Sequence, residues 1–283
     1  MYRFLRKAGS GFLLAMGAAV VAPGAAPAVY SLANPVPREQ MRELNTDRPD
    51  QTEGPYTVDA GHFQVELDFL NSTRDRDTAG GQDVRRRDLS VLPVNLRLGL
   101  TSRVDLQLMV APYESSRTED RLAGTVARAA GFGDVVTRLK INFWGNDGGP
   151  TAFAVMPFIK WPLPASGVRN GRTEGGIIFP FTMKLPADWA AAMMTKVDFV
   201  RDDAGDRSTQ WVNSVSFSHD LTKRLGGYLE LFSVTGGGKG QGQFDVGLTY
   251  LVATDIQLDV GCNFGVTKSA PDYQPFVGVS RRF

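Results

Sequence analysis

Apolar and polar residues alternate with a period of two along most of the chain beyond about residue 60. In the segments 63–69, 104–110 and 244–252, every second residue is predominantly apolar. Strict alternation of this kind is typical of β-strands that present one apolar face, and no convincing amphipathic helix with a 3.6-residue period interrupts it. The pattern therefore predicts an all-β protein.

Twelve segments of this kind can be distinguished. They begin near residues 61, 89, 103, 133, 151, 175, 190, 209, 225, 243, 255 and 273. Strands in soluble proteins are usually about five or six residues long, whereas tilted strands that cross a bilayer need roughly 9–11 residues. Because the segments have the greater length, they favour strands that cross a membrane.

The connections between these segments alternate between long and short. The long or polar ones are 72–87, 115–131, 164–173, 201–208, 236–242 and 267–272, and the short ones are 101–103, 145–150, 186–188, 220–224 and 253–255. Bacterial outer-membrane barrels have long extracellular loops, short periplasmic turns and an even number of strands. The alternation predicts an antiparallel transmembrane β-barrel of about twelve strands over residues 61–283, surrounded by outer-membrane lipid.

The last predicted strand ends on an aromatic residue. Tyr273, Val277, Val279 and Phe283 share one face of this strand. A terminal aromatic behind alternating apolar residues resembles the signal that the barrel assembly machinery recognises in outer-membrane proteins. Arg281 interrupts the apolar face, but near the membrane edge a long arginine side chain reaches water at little cost. We therefore expect the assembly machinery to be a partner through Phe283.

The first 33 residues have the composition of a signal peptide. Three basic residues among the first seven precede an apolar run at 12–21, which is too short to span a bilayer. Small residues follow, and both 26–28 and 31–33 resemble a cleavage site. We predict cleavage after Ala33, with an uncleaved amphipathic anchor as the alternative. Export to the outer membrane of a Gram-negative cell would follow.

Composition excludes several classes of protein. The net charge of +1 argues against a partner nucleic acid, and the single cysteine, Cys262, excludes an intramolecular disulfide framework. With two histidines in the chain, a histidine-based metal site is not expected, and no cofactor motif is present. Cys262 shares its face with Val260 and Phe264 and should therefore face lipid.

An enzyme is the least favoured reading. A lipid-modifying barrel would need a nucleophile, a base and an orienting group, for which Asn213, Ser216, Ser218 and His219 are the candidates. His219 is expected at the periplasmic end of its strand, on the wrong side for outer-leaflet lipid. We therefore expect no catalytic residues.

If the apolar faces contact lipid, the opposite faces line the lumen. The predicted lumen residues are the acids Glu66, Asp68, Asp105, Asp198, Glu230, Asp245 and Asp259, the bases Arg97, Arg138, Lys140, Lys160, Lys184, Lys196 and Arg282, and the aromatics Phe158 and Tyr228. The equal numbers of acids and bases predict cross-strand ion pairs and a nearly neutral interior. Twelve strands enclose a narrow lumen. These side chains either line a solute path or only hold the barrel rigid.

Three prolines fall inside predicted strands, at Pro93, Pro157 and Pro180. Proline donates no hydrogen bond to a strand ladder, and a closed barrel has no free edge on which to place it. Pro157 and Pro180 lie at about the same level of one hairpin. We therefore predict a bulge or kink in the wall there, with a lateral portal as one possible consequence.

The segment before the first strand carries a long motif. Residues 46–58 read TDRPDQTEGPYTV and residues 60–66 read AGHFQVE. This motif resembles the transporter family linked to the meta-pathway of phenol degradation, whose members are exported outer-membrane barrels. The resemblance implies uptake or passage of small, aromatic or hydrophobic, solutes.

Residues 34–60 have two readings. Their prolines exclude a helix or a central strand. If the segment folds inward as a plug, its candidate contacts to lumen charges are Asp47, Arg48, Asp50 and Glu53, and the alternative is a periplasmic tail stiffened by proline. The leading function is passage of a small solute across the outer membrane. The alternatives are a structural or surface-interaction barrel with a plugged lumen, and a periplasmic binding protein of the sandwich type.

Overall fold

A computed structural model describes residues 29–169, 171–201, 206–236 and 240–283. Most of the predicted signal peptide, residues 1–28, lies outside the described residues, so its cleavage stays a prediction. Within the described ranges, helical structure is confined to two short 3₁₀ turns, Arg38–Gln40 and Ala79–Gly81. None of the described helices is long and apolar enough to cross a membrane.

The remainder is one antiparallel sheet of fifteen strands, closed because the last strand pairs with the first. The strands are β1 (Phe63–Asp77), β2 (Val84–Val91), β3 (Val94–Thr101), β4 (Val104–Val110), β5 (Tyr113–Asp120), β6 (Thr125–Gly131), β7 (Val135–Trp144), β8 (Thr151–Lys160), β9 (Glu174–Lys184), β10 (Trp189–Arg201), β11 (Arg207–Asp220), β12 (Leu225–Thr235), β13 (Gln241–Ala253), β14 (Ile256–Gly265) and β15 (Tyr273–Arg282).

These strands form a barrel wall of twelve. Three strands of the wall are each divided in two by a break of only two or three residues. The divided strands are β2 with β3, β4 with β5, and β6 with β7. β3 and β2 pair with successive parts of β1, while β4 pairs with β7 and β5 pairs with β6. The predicted closed, twelve-stranded antiparallel barrel is confirmed.

Two of the predicted long loops are wrong. Most of 72–87 and 115–131 is strand, because β1, β2, β5 and β6 continue past the membrane as a four-stranded extension. The alternation signal is missing there because a sheet in water on both sides needs no apolar face. Charged residues therefore occupy both faces, and the segments look like polar loops in the sequence.

A strand of the wall is divided at Pro93, whereas the strands that contain Pro157 and Pro180 continue through them. Leu92 has a positive φ of 55°, and the break there is matched in the neighbouring strands between β4 and β5 and between β6 and β7. Of the predicted bulge or kink at Pro157 and Pro180, the bulge is wrong, and the kink with its lateral portal stays a prediction. Ladder pairs are missing beside each proline, but the register on both sides is unchanged, so each strand loses hydrogen bonds without gaining a residue.

The outer surface of the wall is apolar. The apolar side chains of Phe217, Leu229 and Val260 are each between 41% and 49% exposed. The four tryptophans, Trp144, Trp161, Trp189 and Trp211, are also exposed, as in the aromatic girdles of membrane barrels. Such an apolar belt on a closed barrel, with charges buried inside, is the arrangement of a transmembrane barrel.

Candidate functional site: the lumen and the segment inside it

The inner face of the barrel carries the charged side chains. The sixteen predicted lumen residues lie on this face, and many of them are buried. Arg97, Asp105 and Lys140 are at most 1% exposed. A buried charge is costly unless it is paired, so the partners of these groups decide what the lumen contains.

Residues 45–58 lie inside the barrel, where Arg48 joins β1 to β14, the two strands that flank β15. Its guanidinium donates to Asp259 of β14 at 2.5 Å and forms an ion pair with Asp68 of β1, also at 2.5 Å. These two carboxylates raise the pKa of Arg48 further, although burial alone would lower it. Arg48 is therefore a fixed positive charge inside the lumen.

Asp47 is a negative charge of the segment and contacts bases on the adjacent part of the wall. It lies 3.1 Å from Arg97 of β3 and 2.5 Å from Lys140 of β7. Burial alone would raise the pKa of Asp47, but the charges of these two bases outweigh it and lower the pKa. Glu53 pairs with Arg138, also on β7. The segment thus provides alternating charges to complementary groups on the wall.

Cross-strand ion pairs exist as well, but they are few. Arg97 contacts Glu66 at 2.8 Å and Asp105 at 2.9 Å, and Lys196 contacts Asp198 on its own strand at 2.8 Å. Cross-strand ion pairs of the predicted kind therefore account for part of the pairing in the lumen. Several of the pairs run through the inserted segment instead.

At β11 to β13, neutral groups of the segment donate hydrogen bonds to carboxylates of the wall. The backbone N–H of Gln51 and the hydroxyl of Thr52 both donate to Glu230, at 2.8 and 2.5 Å. The side-chain amide of Gln51 also donates to Asp245 at 2.8 Å. Asp50 is buried beside this acidic group, and burial raises its pKa to about 7.

The segment leaves the lumen at the periplasmic end. Tyr56 is within hydrogen-bonding distance of Thr182 of β9, at 3.1 Å, and its carbonyl accepts from Arg97 at 2.7 Å. Asp59 then pairs with Arg42 at 2.7 Å and with Arg282 at 3.2 Å. From Arg48 to Asp59 the segment is hydrogen-bonded to strands on all sides of the barrel.

One stretch of the inner wall is apolar. Met156, Ile178, Met194 and Val212 form a buried cluster on β8 to β11, against which Phe158, Phe232 and Val234 pack. The ammonium group of Lys196 lies 5.3 Å from the centre of the Phe158 ring. This apolar layer, opposite the charged wall, gives the lumen two chemically different sides.

The remaining predicted residues lie toward the two mouths. Lys160 pairs with Glu174 at the extracellular end. Lys184 is exposed and lines a periplasmic cavity of about 390 Å³ together with Arg42 and Arg282. Tyr228 is 6% exposed and lies in the wall beside Glu230. A second cavity, of about 340 Å³, lies on the extracellular side of the segment between Asp50, Asp68 and Arg138 and their neighbours.

Sequence reasoning missed the neutral contacts. Gln51, Thr52 and Tyr56 lie within the motif of residues 46–58, but a selection by charge passes over them. Asp59 and Arg42 were missed because their partnership depends on how the segment turns at the periplasmic mouth. The motif itself was the signal that could have found Gln51, Thr52 and Tyr56.

The residues considered for a hydrolase do not assemble into a catalytic set. Ser216 is 2% exposed and points into the lumen, while His219 lies on the other face, where its ring stacks on Trp189 at 4.9 Å. Asn213 also faces outward and accepts a hydrogen bond from Thr195 at 2.9 Å. In the described residues, no group of three or more His, Cys, Asp or Glu side chains could hold a metal ion.

Known proteins resemble this chain in both sequence and fold. The family model described as "Putative MetA-pathway of phenol degradation" matches residues 46–283. The COG4313 outer membrane channel from Pseudomonas putida F1 superimposes with a TM-score of 0.58 at 13% identity, covering 84% of this chain and 100% of that one. No curated protein matches the chain.

Two further solved barrels are similar in fold. The translocator domain of the autotransporter NalP from Neisseria meningitidis has a TM-score of 0.51 at 9% identity, covering 78% of this chain and 88% of that one. The NanC porin has a TM-score of 0.50 at 11% identity, covering 76% and 98%. At these identities the likeness establishes a shared fold, that of outer-membrane barrels.

Proposed function

The chain belongs to the family described as the MetA-pathway of phenol degradation, and from this premise we propose that it is an outer-membrane channel whose passage is set by residues 34–60. The observation that supports the proposal is the way the segment is held. Arg48, Asp47 and Gln51 attach it to opposite walls by ion pairs and hydrogen bonds. Such contacts can be exchanged for water in a lumen, whereas a packed apolar plug would have to expose its apolar surface to water each time it left.

The solute class follows from the two sides of the lumen. Phe158 and Phe232 offer aromatic surface, and Lys196 lies beside the first of them. The opposite wall is charged. We infer a small aromatic solute with a polar or anionic group, because its ring would contact the apolar layer and its polar group would meet the bases. The family description, which refers to phenol degradation, supports the same class.

Single-channel conductance in planar bilayers tests the gating role of the segment. We expect deletion of residues 34–58 to raise the conductance, and the full-length variant Arg48→Gln to open more often, because Asp68 and Asp259 lose their shared partner. Removing one member of a buried charge pair typically costs about 3–5 kcal/mol. Arg38→Gln is the matched control, since the structure shows no side-chain contact for that arginine at the segment's entry. Unchanged conductance in both test variants would contradict the proposal.

The same bilayers test the solute class. Benzoate should reduce the current of the deletion variant more than acetate does at equal concentration, because the two anions carry the same charge and only benzoate has a ring. Equal reduction would contradict an aromatic preference. A complete absence of openings, with or without the segment, would instead favour the alternative of a structural or surface-interaction barrel.

A further inference from the structure

A row of arginines crosses the outer side of the extracellular extension. Arg74 of β1 is paired in register with Arg87 of β2, Arg87 with Arg117 of β5, and Arg117 with Arg128 of β6. These four residues, called the arginine row below, occupy four adjacent strands at one level. At about 4.8 Å between neighbouring strands, the row is roughly 14 Å long.

The alternation of side chains places the row on the outer face. Asn71, Thr73, Arg86 and Asp88 line a cavity at the extracellular mouth of the lumen. Since neighbouring residues in a strand point to opposite sides, Arg74 and Arg87 point away from the lumen. The row therefore faces the surroundings of the barrel and not the solute path.

The charges of the row are not balanced within the protein. Like charges directly opposite one another on a sheet are destabilising. Arg117 has Glu119 at 3.1 Å, but among the described residues no ion pair is recorded for Arg74, Arg87 or Arg128. Two further outward arginines, Arg76 and Arg85, lie directly beyond the row but have Asp83 as a partner, at 2.9 and 4.0 Å, so the uncompensated positive charge is that of the row itself.

The row lies just above the apolar belt. Leu70 of β1 and Tyr113 of β5 are outward-facing and 45% exposed, and each precedes a row arginine by four residues, about 13 Å along the strand. Arg74 itself is paired with Tyr273, another exposed aromatic residue. Aromatic residues mark the level of the membrane interface. The arginine row is therefore at the height of the lipid headgroups on the side of the long connections, which is extracellular.

We propose that the arginine row binds the phosphate groups of the glycolipid that forms the outer leaflet, that is, of lipopolysaccharide. Guanidinium groups bind phosphate through two parallel hydrogen bonds, and a row of four can engage more than one phosphate. Bound phosphate also removes the repulsion between the paired arginines. This inference rests on the transmembrane fold and not on the proposed channel activity, so either can fail alone.

Binding of phosphorylated lipopolysaccharide to the purified full chain in neutral detergent tests the proposal, with bound lipid counted by native mass spectrometry. We expect the variant carrying Arg74→Gln, Arg87→Gln, Arg117→Gln and Arg128→Gln to bind at least about tenfold more weakly, since four modest charge contacts are lost together. Dephosphorylated lipopolysaccharide should bind the wild type as weakly as phosphorylated lipopolysaccharide binds the fourfold variant. Arg86→Gln is the matched control, because it changes the adjacent residue of the same strand on the lumen side.

Three results would overturn the proposal. They are equal binding by the fourfold variant and the wild type, equal binding of phosphorylated and dephosphorylated lipid, and full displacement of the lipid by inorganic phosphate at comparable concentration, which would indicate a site for free phosphate. Heat-modifiable migration on gels shows whether the fourfold variant is folded. If it is not, the double variants Arg74→Gln/Arg87→Gln and Arg117→Gln/Arg128→Gln should each show a partial loss, and no loss in either would equally overturn the proposal.

Discussion

Asp50 is buried in the lumen without a recorded ion pair among the described residues. The carboxylates of Glu53 and Asp47 on its own segment and of Glu230 on β12 lie near it. Burial raises the pKa of Asp50 from 3.8 to about 7. The segment in the lumen therefore holds this proton more tightly than a displaced segment in water would.

The sign of the pH dependence follows. Placement of the segment in the lumen is most favourable below the ordinary pKa of an aspartate and weakens as the pH rises toward about 7. We expect channel openings to become more frequent between pH 4 and pH 7, and Asp50→Asn to flatten this dependence by keeping the group neutral. Bilayer recordings across this pH range measure it. Asp188→Asn, in an exposed turn, is the control, and a pH profile unaltered by Asp50→Asn would contradict the assignment.

At the scale of single residues, much of the charged lining was predictable and its partners were not. Period-two alternation places Arg97, Asp105 and Lys140 on one face of their strands, whatever the tertiary structure. That Asp47 lies between Arg97 and Lys140 depends on the path of a segment that has no periodic pattern. The sequence offered Asp47 as a candidate contact, but local pattern does not say which wall residues it meets.

At the scale of the strands, the C-terminal end of β15 is held in place by contacts of Phe283. Phe283 follows it directly, donates its backbone N–H to the carbonyl of Phe63 at 2.8 Å, and stacks on the Phe63 ring at 4.6 Å between centroids. The C-terminal residue therefore contacts the first residue of β1, where the barrel closes. The proposed recognition of this end by the assembly machinery and the closure of the barrel involve the same side chain.

We expect Phe283→Ala to lower the amount of folded barrel in outer membranes, since both the terminal aromatic and its stacking on Phe63 are lost. The fraction of heat-modifiable protein in membrane preparations measures it. Phe264→Ala is the control. Phe264 is also exposed, at 42%, but it lies at the extracellular end of β14, far from the contact between Phe283 and Phe63. An equal folded fraction for both variants would argue against a special role of the terminal residue.

The elements also show where periodicity is informative. Strands such as β13 and β14 were predicted because lipid requires apolar residues on one face. In β2 and β5 both faces are wet, so the sequences VRRRDLSV and YESSRTED have no alternation of hydrophobicity to detect. These strands form because the pairing of β1 and β3 within the membrane places their continuations side by side.

At the scale of the whole molecule, the apolar belt predicts how stability depends on position. Leu231 lies near the middle of β12 and is 56% exposed, while Val126 of β6 is 48% exposed on the extension. We expect Leu231→Arg to cost about 2–4 kcal/mol of unfolding free energy, because a charge at the bilayer midplane is poorly solvated. Guanidinium unfolding in lipid vesicles measures this.

Val126→Arg is the matched control for that experiment. It adds the same side chain to a similarly exposed outward position that lies beyond the membrane, where water solvates the charge, so we expect little change in stability. Similar costs at both positions would contradict the assignment of the membrane boundary, and with it the headgroup level of the arginine row.

The sequence alone determined the all-β class, twelve membrane-crossing segments and the face of each that avoids lipid, because these properties follow from local alternation and from the thickness of a bilayer. Tertiary structure alone decided that residues 45–58 lie in the lumen, that Arg48 joins β1 to β14, and that four arginines separated by up to 54 positions form one row. Those facts depend on strand register and barrel closure. Both are set by pairings between distant parts of the chain, which no local pattern encodes.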